Sequence, residues 1–333
     1  MSGTRDGAPP VAVPAELVPT YRSELPVFVL TGPTGVGKSD WAIRLAQEAP
    51  VEIVSVDSAL VYRGLDIGSA KPARALREQV PHHLVDICEP TESYSAGRFV
   101  TDAIAAIAAI HGRRRVPLLV GGTMLYIRAL LHGLAPLPEA SPAVRAQLDA
   151  RAARLGWPAL HAELSRVDAA AAARIAPNDS QRIQRALEVC YTTGRAISEL
   201  QRATVSPISG TALKYWALAP KYRSEFHERL SRRFQSMMAA GFLDEVRSLR
   251  QRGDLTARHP AMRSVGYRQL WAHLDGEYSL EEARQRGIFA TRQLAKRQLT
   301  WLRSETALRW LQPECDEKSW NSDVRHELRE LGL

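Results

Sequence analysis

The chain has 333 residues, 45% of them apolar and 24% charged, with a net charge of +8. That length and mixture support two packed domains and exclude a disordered or fibrous polymer. Three distant cysteines, Cys88, Cys190 and Cys315, offer neither a disulfide framework nor a zinc pattern, which fits a reducing cytoplasm, and no apolar run approaches the roughly 20 residues of a membrane span.

Residues 1–26 hold five prolines, many small residues and no apolar signal core, and read as a disordered arm. Val27–Leu30 is a short buried strand, followed by Gly32-Pro33-Thr34-Gly35-Val36-Gly37-Lys38-Ser39 and a helix from Ser39 to Ala49. The spacing G-x-x-x-x-G-K-S between strand and helix is that of a phosphate-binding loop. Its glycines let backbone N–H groups close on phosphate oxygens, Lys38 adds a point charge and Ser39 can ligate Mg²⁺. The motif says that a polyphosphate binds and leaves open whose it is.

Val51–Asp57 reads as a second strand and His82–Ile87 as a third, short one. A helix opens at a Ser95 cap and closes at Gly112, and Val116–Gly122 is another strand leading into a further helix. This alternation predicts an α/β fold, a parallel sheet flanked by helices, with ligands at the carboxyl ends of the strands. The Pro-punctuated segment 134–142 then breaks the pattern. An Ala- and Arg-rich stretch follows in which only helical periods occur, so an all-helical insertion is expected. Leu213–Pro220 returns to strand character, and helices are expected at 222–240, 242–252, 266–274 and 279–303. The expected organisation is an arm at 1–26, a first core segment at 27–137, the insertion at 138–204, a return to the core with basic helices at 205–312, and an acidic tail at 313–333.

The charge is uneven. Residues 214–303 carry 18 Lys and Arg against 9 Asp and Glu, whereas 1–213 are nearly balanced and 304–333 are acidic. Such an excess suits a polyanion larger than a nucleotide, or simply an arginine-rich solvated surface. Asp57, directly after its strand, suits either a Mg²⁺-holding carboxylate or a general base. Gly121-Gly122-Thr123 forms either a tight capped turn or an opening for substrate beside a hydroxyl. His82-His83 lacks a third ligand at useful spacing and reads as structural. Trp157, Trp216, Trp271 and Trp301 read as packing residues, and Cys190 as a buried, inert thiol.

Taken together, "SVDSALVYRGLDIGSAKP" and "LLVGGTMLYIRALLHGL" resemble the tRNA dimethylallyltransferases. The likeness continues through "APNDSQRIQRALEV", "GFLDEVRSL", "MRSVGYRQLW" and "ATRQLAKRQLTWLR", over roughly residues 27–311. It implies that Gly32, Pro33, Thr34, Gly35, Val36, Gly37, Lys38 and Ser39 hold the diphosphate of dimethylallyl diphosphate, with Mg²⁺ on Ser39. Asp57 matches the family's proposed base and Thr123 its threonine at the reacting centre. The partner implied is the anticodon stem-loop of tRNA, modified on the N6 amine of an adenosine. By the same likeness the tRNA contacts are Asp57, Ser58, Ala59, Leu60 and Thr123, then Arg145, Gln181, Arg182, Ile183, Gln184 and Arg185. Arg263, Ser264, Val265, Gly266, Tyr267, Arg268, Lys296, Arg297 and Arg303 complete them. In the last of these helices Arg292, Lys296 and Arg303 share one face, opposite an expected core stripe of Ala290, Leu294 and Trp301. A cytoplasmic monomer with no membrane contact is expected. Prenylation of free adenine nucleotides, a P-loop small-molecule kinase and a non-catalytic RNA-binding module are the competing readings.

Overall fold

In the computed structural model, residues 20–202 and 204–333 are described. Within them the chain divides into two compact units, Tyr21–Leu131 with Ile208–Leu333, and His132–Pro207.

The first unit is built on six strands: β1 Val27–Thr31, β2 Val51–Val56, β3 His82–His83, β4 Val116–Gly121, β5 Leu213–Leu218 and β6 Arg309–Leu311. They lie in the order β3-β2-β4-β1-β5-β6, and every neighbouring pair is parallel. β1, β2 and β4 are buried along their whole length, which is why their sequences run almost continuously apolar instead of alternating. Two apolar layers cover the sheet. One includes Phe99, Ile107 and Tyr126; the other includes Trp41, Leu45, Leu230 and Trp320.

Three expectations need correction here. The third strand is two residues long, not six, because Leu84 and Asp86 turn to positive φ (61° and 57°). That bend carries the Asp86 carboxylate to Arg77 at 2.9 Å and to the buried ammonium of Lys71, which also donates to the Tyr62 carbonyl at 2.8 Å. The arm was expected to reach residue 26. Residues 1–19 lie outside the described residues, but Tyr21 packs on the core and bonds His111 Nδ1 at 2.9 Å, since a phenol here both fills an apolar gap and partners a buried imidazole. Finally, the acidic tail is part of the core. β6 extends the sheet, and helix Glu317–Glu330 buries Trp320 against Trp41 and Trp216, with ring centroids 5.3 and 5.8 Å apart. Its acidic residues are spent on docking: Glu317 pairs with Arg44, and Glu327 with Lys214 at 3.0 Å.

The second unit, the insertion, is helical as expected. Its helices are Pro142–Leu155, Trp157–Val167, Ala169–Ala172, Ser180–Thr193 and Ile197–Leu200. Ser141, Asp168 and Asp179 cap three of them through their side chains. Leu148, Leu160, Leu164, Ile183 and Leu187 form its core.

Candidate active site

Parallel pairing sets the geometry of the site before any side chain is considered. β4 lies between β1 and β2, with Gly121 in register with Thr31 on one side and Val56 on the other. The residues that follow these three strands are the phosphate loop, Gly122-Thr123 and Asp57. They stand side by side at the carboxyl edge of the sheet, and two strand spacings separate the loop from Asp57 by about 10 Å.

The loop has the expected form. Gly35 and Gly37 adopt φ of 74° and 107°, and helix Lys38–Glu48 starts directly behind them. A Cβ on Gly35 would strike Leu230 at 2.6 Å, so both the turn and the close packing require glycine. Lys38 Nζ folds over the loop and donates to the carbonyls of Gly32 (3.0 Å) and Pro33 (2.8 Å). Burial pushes its pKa down to about 8; the Asp57 carboxylate opposes this and Arg233 adds to it. Ser39 is exposed in the first helical turn. Among the described residues no cluster of three His, Cys, Asp or Glu side chains could hold a metal ion. A lone hydroxyl beside a phosphate cradle is the donor set of a Mg²⁺ carried mainly by phosphate oxygens, and Ser39 fits that role.

Asp57 Oδ1 accepts from the amides of Ala59 (2.8 Å) and Leu60 (3.3 Å), an Asx turn that fixes the carboxyl plane. Oδ2 has no hydrogen-bond partner among the described residues. Thr123 Oγ1 accepts from Ser58 N at 3.0 Å and donates to Ser58 Oγ at 3.3 Å, which ties the ends of β2 and β4 together. Gly121 packs against its own sheet, whereas Gly122 both packs on Gln298 and faces the cleft. A Cβ on Gly121 would lie 2.0 Å from the Val56 carbonyl oxygen, and one on Gly122 would lie 2.4 Å from Gln298 Nε2. The glycines admit the chain's own backbone and Gln298.

Thr34, Asp57, Ser58, Gly122 and Thr123 face one cleft of about 490 Å³. Its apolar wall includes Leu230, Phe234, Met237 and Leu294, and Arg233, Arg263, Arg297 and Trp301 also line it. Two polar residues of the cleft, Arg233 and Gln298, escaped the sequence reading. Arg233 stands on helix Arg223–Ala239, its Cδ 3.6 Å from the position a Gly35 Cβ would take. Burial lowers its pKa while Asp57 and Asp40 hold its charge. Gln298 is 8% exposed; its Oε1 accepts from Thr34 N and its Nε2 donates to Gly122 O, both at 2.8 Å. Nearby, Glu245 gathers the amides of Asp66 (3.0 Å), Ile67 (2.6 Å) and Gly68 (3.1 Å) and the Tyr267 hydroxyl (2.6 Å), bracing the cleft wall at Gly68 and Ser69. The only advance signal for Glu245 and Gln298 was their place in blocks that carry the family resemblance, and Arg233 lies in none of those blocks.

The remaining expected residues divide. Arg263, Arg268, Lys296, Arg297 and Arg303 are exposed, as are Gln181 and Arg182 in the insertion. Ile183 is 0% exposed in the insertion core and Tyr267 is 0% exposed, so neither side chain offers a free surface to a polynucleotide; helical periodicity turns both inward. Arg145 and Arg185 are engaged by Glu188. The stripe on helix Leu280–Leu302 is shifted: Ala295, Gln298 and Leu302 are buried, Leu294 lines the cleft, Trp301 packs on the core as expected while also lining the cleft, and Arg292 donates to Ser231 Oγ at 2.7 Å. Trp216 and Trp271 are core residues, and His83 bonds Glu52 at 2.7 Å.

Fold and site define a P-loop α/β protein whose phosphate-loop motif stands beside a carboxylate and a hydroxyl in a partly apolar cleft. The pattern of the IPP transferase family matches residues 60–305, and that of the isopentenyl transferases residues 25–82. The tRNA dimethylallyltransferase of Alkalilimnicola ehrlichii is 60% identical over 87% of this chain and 91% of its own; that of Bordetella petrii is 56% identical over 85% and 91%. Among solved structures, a full-length tRNA isopentenylpyrophosphate transferase from Bacillus halodurans superposes with a TM-score of 0.67 at 35% identity, over 92% of this chain and 98% of its own. A eukaryotic dimethylallyltransferase acting on tRNA gives 0.70 at 28% identity, over 92% and 78%. The chain belongs to the tRNA dimethylallyltransferase family of IPP transferases.

Proposed function

We propose that this chain transfers the dimethylallyl group from dimethylallyl diphosphate to the N6 amine of the adenosine 3′ to the anticodon of tRNA, in the cytoplasm and as a monomer. The observation that carries the reading is the cleft in which the phosphate loop and Arg233 stand beside Asp57 and Thr123, with an apolar wall between them.

The loop amides, Lys38 and Arg233 neutralise the diphosphate as the allylic C1–O bond breaks and the electron pair leaves with it. Mg²⁺, bound by Ser39 and the phosphates, would supply further charge neutralisation. The N6 lone pair is delocalised into the purine and is a weak nucleophile. Asp57 Oδ2 accepts the N6 proton as the N6–C1 bond forms, and the products are prenylated adenosine and diphosphate. Thr123 orients the acceptor, its hydroxyl already held by Ser58. Leu230, Phe234 and Met237 offer the five-carbon group an apolar surface. The adenine must leave its stack to enter the cleft, and arginines at the rim, Arg263 and Arg297, suit the phosphates around it.

Purified protein with Mg²⁺ and unmodified tRNA is offered labelled dimethylallyl diphosphate or labelled ATP in separate tubes. Label passing from the prenyl donor into tRNA is the expected result. Label passing only from ATP, or only into free adenine nucleotides, overturns the proposal.

A further inference from the structure

We infer that Gln298 is a positioning residue that clamps the phosphate loop to the Gly122-Thr123 turn, so that donor and acceptor sites keep one spacing. The inference rests on the function proposed above and goes beyond it.

The geometry leaves little choice of partner. Thr34 N can only donate and Gly122 O can only accept, so the two ends of the amide are fixed by what they meet. The side chain is buried, and a leucine of similar size would strand a backbone donor and a backbone acceptor between two ligand-binding loops. Gly122 is shaped to it, because any Cβ there would collide with Nε2. The two anchored segments follow β1 and β4, adjacent strands whose hydrogen-bond ladder ends at Thr31 and Gly121. Beyond that ladder Gln298 continues the pairing by a side chain, 264 residues from Thr34 in sequence. Arg297 and Trp301, on the same helix, line the cleft, so the clamp arrives on an element that also shapes the acceptor side.

Gln298→Met keeps chain length and apolar bulk and removes both hydrogen bonds. Magnesium diphosphate is titrated calorimetrically into full-length wild type and variant, and prenyl transfer to tRNA is then measured at steady state. Diphosphate is expected to bind about tenfold more weakly to the variant, and the KM for dimethylallyl diphosphate to rise with it, while the Kd for tRNA stays within about twofold. Unchanged diphosphate affinity and donor KM overturn the inference, even if the variant melts earlier, because a merely structural residue lowers the folded fraction without moving KM. Should Gln298→Met fail to fold, Gln298→Glu serves. It keeps the acceptor for Thr34 N and loses the donor to Gly122 O, and a wild-type donor KM and kcat there overturn the clamp. A wild-type protein that binds diphosphate yet transfers no prenyl label to tRNA defeats the proposed function and leaves the clamp intact.

Discussion

Buried charge is handled differently in the core of the insertion and at the cleft of the α/β unit. In the insertion, Glu188 is 0% exposed, yet it is completely partnered: Arg145 grips it with two nitrogens at 2.9 and 3.1 Å, Arg185 at 2.7 Å, and Ser141 N at 2.7 Å. Burial alone would raise its pKa, but the bonds from Arg145, Arg185 and Ser141 hold it below the usual carboxylate range. In the α/β unit, Lys38 turns back on its own loop carbonyls, Arg233 carries a burial penalty, and one oxygen of Asp57 has no partner among the described residues. A satisfied buried ion holds a fold together, whereas a cluster of incompletely satisfied ones anticipates a ligand.

The contrast predicts that Glu188→Ala harms stability more than chemistry. It removes a four-bonded carboxylate and strands Ser141 N, at a cost of about 3 kcal/mol, the low end for a broken buried pair because both guanidinium groups still reach water. Chemical denaturation checks this. The sign with pH follows from the lowered pKa: the contribution is present above the unfolded value and is lost as pH falls through the lower folded one. A wild-type midpoint in the variant would show that the bonds to Glu188 contribute no net stability.

Asp57→Asn isolates the opposite case. Its side-chain oxygen keeps the turn to Ala59 and Leu60, so only the charge and basicity vanish. Turnover should fall about 10²-fold or more with tRNA affinity nearly intact. Comparable turnover would remove Asp57 from proton transfer.

What could be read in advance follows the same division. The phosphate loop, Asp57 and Thr123 are contiguous with buried strands, so local chemistry singles them out, and the family resemblance supplies the roles of Asp57 and Thr123. Gln298, Arg233 and Glu245 matter because of what tertiary packing brings to them across long sequence separations. A helical period assigns a face and never a partner, so it put Leu294 in the core and missed a glutamine that is buried because both of its ends are bonded. Tail residues read as acidic and separable for a related reason: composition cannot show that Trp320 has a socket between Trp41 and Trp216. Arg145 and Arg185 are expected RNA contacts through the family resemblance, and nothing in the sequence signals that both also pair with Glu188, which is distant from Arg145 in the chain.

A milder effect comes from the Lys38 ammonium. Its pKa of about 8 means that the free protein loses this charge as pH rises through that value. Catalytic efficiency, kcat/KM, for the prenyl donor should therefore decline above about pH 8, and Lys38→Arg should move the decline to higher pH because a guanidinium stays charged there. A flat profile up to pH 9.5 would show that diphosphate affinity does not depend on that ammonium.

The smallest effect expected is at Arg268. It is exposed, beyond the reaction cleft, and lines a separate open cleft of about 720 Å³ with Phe289 and with Arg286, whose guanidinium lies 4.3 Å over the Tyr278 ring. No ion pair neutralises Arg268 among the described residues, in contrast to Arg145 and Arg185. A single phosphate contact contributes about one released counterion, so Arg268→Ala should reduce the slope of log Kd for tRNA against log salt by roughly one and leave kcat unchanged. Arg145→Ala, measured alongside, should lower thermal stability and leave the slope alone, because its charge is already spent on Glu188. If Arg145 shifts the slope and Arg268 does not, satisfied and unsatisfied charges have exchanged roles, and exposure rather than internal pairing governs which arginines meet RNA.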